Sequence, residues 1–121
     1  MPSDLSMFAN SADTKKYPAG HVFFSQGDRR DVLYVILSGS VEIVLGGNVI
    51  ATLSNGQIFG EMALIDHRER SAGARAATEV EAASIDQTQF LYLVRTHPTF
   101  SLEVMSVFAE RLRAVNQSMY S

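Results

Sequence analysis

The chain has 121 residues, 46% of them hydrophobic and 19% charged, with a net charge of −3 and no cysteine. That length fits one ordinary domain with one core, and the apolar share argues against disorder. The same composition excludes disulfides, thiolate-bound zinc or iron–sulfur sites and thiol redox sensing, and its acidic balance leaves no basic footprint with which this chain alone would grip nucleic acid.

No run approaches the ~18 apolar residues of a membrane-spanning helix, and the opening "MPSDLSMFANSADTKK" has no charged start followed by an apolar core. The expectation is a soluble cytoplasmic protein without membrane attachment. The chain reads as one domain over 1–121, with strands over 15–86 and helices over 87–121.

From Lys15 to Asp86 short β-branched and aromatic runs alternate with turn residues, the rhythm of a β-roll or jelly-roll barrel. "HVFFS" (His21–Ser25) precedes the turn "QGD", and "DVLYVILS" (Asp31–Ser38) precedes "GS". "VEIVL" (Val41–Leu45) and "VIATL" (Val49–Leu53) flank "GGN", a hairpin loop in which positive φ costs little. "SNG" then supplies the tight-turn pair Asn55-Gly56, and "VEAASID" (Val80–Asp86) reads as the last strand.

Two helices follow. The first has Asp86 or Thr88 available as N-cap, one face of Phe90, Leu91, Leu93 and Val94, and an end before Pro98. The second starts near Pro98 and carries Phe100, Val104, Val107, Phe108, Leu112, Val115 and Met119 at helical spacing, with Leu102 and Met105 widening the stripe. So much apolar surface requires cover from the strands, from a partner, or from both.

Between strands and helices lies "FGEMALIDHRERSAGARA", Phe59–Ala76. "GEMALI" suits a strand that breaks at Gly60 into a short helical turn, whose first backbone amides carry positive dipole charge and form an anion site. Arg70, ten residues on, and Ser71 can converge on one phosphate, the arginine in bidentate geometry. A carboxylate beside a phosphate is repulsive, so Glu61 makes sense in such a site if the ligand also offers a sugar hydroxyl; the alternative is that these charges cap a short helix and face solvent. Phosphate and ribose together describe a nucleotide. Arg68 competes with Arg70 for the phosphate, but spacing favours Arg70. Arg75 is expected on a strand edge without a ligand role.

"FGEMAL" followed by "RSA" resembles the phosphate-binding cassette of cyclic nucleotide-binding domains, as in bacterial catabolite activators, regulatory subunits of cyclic AMP-dependent protein kinase and cyclic nucleotide-gated channels. The resemblance extends through "YPAGHVFFSQGD", "LYVILSGSVEI" and "HPTF…FAERL", almost the whole chain. It implies a mainly β fold, a β-roll with a short phosphate-binding helix and two C-terminal helices. It further implies that Phe59, Gly60, Glu61, Met62, Ala63, Arg70, Ser71 and Ala72 form the site. Within it, Gly60 and Ala63 would offer amides, Glu61 would accept from the 2′-hydroxyl, and Arg70 and Ser71 would hold the phosphate. Ile43 and Ile50 match positions lining the base pocket, with plain core packing the alternative. Arg111 falls where the last helix approaches the sugar–phosphate, and Asn116 where the purine is contacted. Tyr120 could stack on the base or simply fray. Where many members carry a base-touching valine, this chain has Gly73 and Ala74, which implies a looser pocket.

Serine at position 71 favours cyclic AMP over cyclic GMP on the same resemblance. No H-x-H and carboxylate set is present for a metal, and no nucleophile elbow for hydrolysis; His21, His67 and His97 read as surface or capping residues. One arginine and a few amides can balance the single charge of a cyclic phosphodiester, so neither cofactor nor metal is expected. The reading is a non-enzymatic sensor whose ligand moves the terminal helices. The chain ends about one turn after Asn116, so no recognition helix for DNA is expected. The competing reading is a ligand-free module that dimerises, or binds an effector protein, through the last helix.

Overall fold

The computed structural model describes residues 13–29, 32–60, 70 and 72–120. Eight strands come first: β1 (Asp13–Tyr17), β2 (Val22–Phe24), β3 (Val32–Ser38), β4 (Val41–Leu45), β5 (Asn48–Leu53), β6 (Ile58–Phe59), β7 (Gly73–Ala76) and β8 (Val80–Asp86). Two helices follow among the described residues, α1 (Gln87–Thr96) and α2 (Thr99–Tyr120).

The strands form two antiparallel four-stranded sheets, ordered β1-β8-β3-β6 and β2-β7-β4-β5. The expected roll is therefore two facing sheets rather than a closed barrel. Strand β7 lies between β2 and β4, which corrects the placement of Arg75 on an edge: it pairs in register with Val22 on one side and Glu42 on the other.

Alternation along β3 and β8 explains why one sheet can serve two cores. Leu33, Val35, Ala83 and Ile85 point to one face and join Ile58 with Leu93, Phe100, Val104 and Val107 of the helices. Ile36, Val80 and Ala82 point to the other and meet Phe23, Phe24, Val41, Phe59, Ala74 and Ala76. Both layers are buried, and each fully buried large side chain contributes about 1.5–3 kcal/mol. The adjacent Phe23 and Phe24 are both buried because β2 slips register against β7 between Val22 and Phe24, which breaks the usual in–out alternation.

The entry to α1 is fixed by a capping box. Asp86 Oδ1 accepts from the Gln89 amide at 2.8 Å, and Gln89 Oε1 accepts from the Asp86 amide at 2.9 Å. Asp86, and not Thr88, is the cap. The helix ends at His97, whose amide donates to the Leu93 carbonyl, and α2 begins just after Pro98. Two expectations for the helices need correction. Leu91 is 59% exposed and does not share the buried face of Leu93, while Leu102 (63%) and Met105 (54%) face outward instead of widening the packed stripe.

Candidate functional site

Arg70 is the one residue described between Gly60 and Ala72, and it is only 5% exposed. Burying a guanidinium is costly unless its N–H groups find acceptors. Here Nη1 donates to the Gly60 carbonyl at 2.6 Å and Nη2 to the Val32 carbonyl at 2.7 Å, so the side chain ties the end of β6 to the start of β3. Its own main chain is anchored to the turn after β2: the Arg70 amide donates to the Asp28 carbonyl, and the Gly27 amide donates to the Arg70 carbonyl, both at 2.8 Å. Below it lies Phe24, whose ring centroid is 4.1 Å from the guanidinium carbon. Arg70 thus bridges both sheets.

Gly60 has φ +82°, a conformation that side chains rarely adopt. A Cβ there would sit 2.8 Å from Arg70 Nη1 and 3.0 Å from the Val32 carbonyl oxygen, so glycine is required twice over. Phe59, the residue before it, is buried, with its ring stacked on Tyr34 at 5.0 Å and packed edgewise on Phe23. Any contact from Phe59 to a ligand would come from its main chain.

An apolar row leads away from Arg70 across the inner face of the second sheet. Phe24 is opposite Ala74, Ala74 opposite Ile43, and Ile43 opposite Ala51. Three strand spacings make the row roughly 14 Å long. It is buried at Phe24 and Ala74, half-buried at Ile43 and exposed at Ala51. At its open end the β4–β5 ladder slips between Ile43 and Val44: Val44 faces Val49, Ile43 faces Ala51, and Ile50 is the extra residue of a bulge, 56% exposed. The structure thus places Ile43 partly in the core and Ile50 on open surface. Ala72 is half-buried immediately before β7, and the Gly73-Ala74 pair belongs to the floor of this sheet.

Phe24 and Ala74 of the apolar row also help line, with Val22, Val44, Gly73 and Arg75, an open hollow of about 300 Å³. Its cation is engaged, since Arg75 Nε donates to Glu42 Oε1 at 3.0 Å. Among the described residues there is no group of three or more His, Asp or Glu positioned to hold a metal ion, and no helix long and apolar enough to cross a membrane.

Glu61, Met62, Ala63 and Ser71 lie outside the described residues, as do Arg68 and His67. Arg111, Asn116 and Tyr120 fall on the last turns of α2, where the backbone is helical and the side chains lie outside the description. The structure thus brings Gly60 and Arg70 into direct contact, sets Phe59 behind them and Ala72 beside them, and reaches Ile43 through Phe24 and Ala74. Phe24 and the Val32 carbonyl were not singled out from sequence. A main-chain oxygen leaves no residue signature, and Phe24 looked like any strand aromatic.

The fold is thus a β-roll of two sheets with a buried arginine tied to a positive-φ glycine. The family model for the cyclic nucleotide-binding domain matches residues 14–97, and the chain belongs to that family. It is 34% identical over 117 residues to the "Cyclic AMP receptor protein" of Thermus thermophilus, covering 93% of this chain and 54% of that protein. It is 35% identical over 95 residues to the "cAMP-dependent protein kinase regulatory subunit" of Emericella nidulans, covering 77% of this chain and 23% of that one. The crystal structure of Thermus thermophilus catabolite activator protein superimposes with a TM-score of 0.84 at 31% identity, covering 94% of this chain and 56% of that chain. The chain spans about half the length of the bacterial relatives it matches.

Proposed function

We propose that this domain is a non-catalytic cyclic nucleotide sensor that prefers cyclic AMP to cyclic GMP. The observation that carries the reading is the buried Arg70, held at the inner end of an apolar sheet face that opens toward Ile43, Ala51 and Ile50. A guanidinium carries five N–H groups in a rigid fork, so main-chain oxygens can anchor one part of it while a phosphate is received on another. Beyond Phe24, the row through Ala74, Ile43 and Ala51 then offers a wall for a purine. Family membership supports the ligand class, and two relatives with cyclic AMP in their names support the choice of base.

In this reading the cassette spans 59–76. Gly60 and Ala63 offer amides, Glu61 accepts from the ribose 2′-hydroxyl, Arg70 and Ser71 hold the phosphate, and Met62 and Ala72 complete the pocket wall. Arg111 and Asn116 approach from α2. No resident cofactor or metal is called for, because one arginine and a few amides balance the single charge of a cyclic phosphodiester. The ligand acts by preferring one arrangement of α1 and α2 over another, and it can shift their populations only by that difference in affinity. Thermal unfolding with cyclic AMP, cyclic GMP and 5′-AMP tests the reading. A ligand at 100 times its dissociation constant stabilises the fold by about 2.7 kcal/mol, so cyclic AMP is expected to raise Tm most and 5′-AMP least.

A second reading, a ligand-free domain that dimerises or docks an effector through its helices, draws on the exposed Leu91, Leu102 and Met105. Equal Tm values with and without either cyclic nucleotide, in a protein that self-associates, would favour it.

A further inference from the structure

We infer that Phe24 is a positioning residue for Arg70, fixing the plane in which the guanidinium meets an anion; the inference rests on the proposed ligand reading. The two carbonyl bonds to Gly60 and Val32 hold the guanidinium at its edges. Its carbon sits over the Phe24 ring, 4.1 Å from the centroid, so the ring supports the group from a third direction. The ring is itself immobilised. It is buried, tilted against Phe59 at 6.0 Å, and in register with Ala74 on the neighbouring strand. Its Cε2 also lies 3.3 Å from where a Gly60 side chain would begin, so ring, glycine and guanidinium occupy one closely fitted space.

An aliphatic side chain of similar size would fill the volume but would offer no electron-rich face. The weakly hydrated, planar guanidinium gains most from such a face when it is removed from water. Phe24 therefore acts on the ligand through Arg70 and not by touching it.

The test is titration calorimetry of cyclic AMP into the wild-type chain and the variants Phe24→Leu, Phe24→Met and Phe24→Tyr, with Tm measured for each. Leu and Met are expected to weaken binding roughly 3- to 30-fold, and Tyr, which keeps the ring face, is expected to bind as the wild type does. Either aliphatic variant, if folded, suffices for the comparison. Unchanged affinity in a folded aliphatic variant would overturn the inference. So would an equal loss in Tyr, since the ring face would then not be the agent. A wild-type chain that binds neither cyclic AMP nor cyclic GMP would overturn the functional reading itself and this inference with it.

Discussion

Arg70 Nη1 donates to the Gly60 carbonyl at 2.6 Å, and a Cβ on Gly60 would lie 2.8 Å from that same nitrogen. One contact therefore joins the cation to the backbone conformation that admits it. Gly60→Ala forces a side chain into positive φ and displaces the guanidinium. Its expected cost is about 1–3 kcal/mol in urea unfolding, together with a clear loss of cyclic AMP affinity. Retained affinity with lost stability would separate the two roles and remove Gly60 from the site.

The capping box at the start of α1 connects the last strand to the helices that the ligand is proposed to move. Asp86→Ala leaves the Gln89 amide without its acceptor and is expected to cost about 1 kcal/mol of stability. Urea denaturation measures it directly. The substitution changes only the side chain and leaves the Asp86 main chain paired with Val32, whose carbonyl accepts from Arg70, so cyclic AMP affinity at low temperature should stay close to that of the wild type.

Arg75 and Glu42 form an ion pair across β7 and β4 with both side chains partly in water. Such pairs contribute roughly 0.2–1 kcal/mol after solvent screening. A double-mutant cycle with Arg75→Ala and Glu42→Ala should return a coupling in that range, smaller at high salt. Ligand affinity should not change, which keeps Arg75 apart from Arg70 despite their closeness in sequence.

Leu102 and Met105 face outward from α2. Leu102→Gln with Met105→Gln is expected to leave stability within about 0.5 kcal/mol if this face meets only water. Sedimentation of wild type and variant decides the matter: loss of a wild-type dimer in the variant assigns the face to an interface between chains.

Much of the roll was legible because turn residues punctuate it. The Gly46-Gly47 hairpin and the Asn55-Gly56 turn set the limits of β4 and β5, and β8 runs over Val80–Asp86 as its composition indicates. Strand β7 was expected only through Arg75, on an edge and without bounds: "GARA" has few β-branched or aromatic residues, and it is held by pairing on both sides. The division into two sheets is a long-range property that no local pattern encodes. Helical spacing identified Phe100, Val104 and Val107 but could not tell which flank of the stripe finds cover, and so Leu91, Leu102 and Met105 fell on the wrong side. At the candidate site, spacing singled out Gly60 and Arg70. The acceptors that bury the arginine are main-chain oxygens, visible only once β3 and β6 are paired.

The central claim is that Arg70 receives the phosphate of a cyclic nucleotide. It is tested most directly by titrating cyclic AMP into the wild-type chain and into Arg70→Lys, which keeps the charge but loses the planar fork. Saturable binding by the wild type, weakened about tenfold or more in the variant, is expected; a bidentate charge-assisted pair contributes on that scale. Equal affinity in the two proteins, or no heat from the wild type at millimolar ligand, would contradict it.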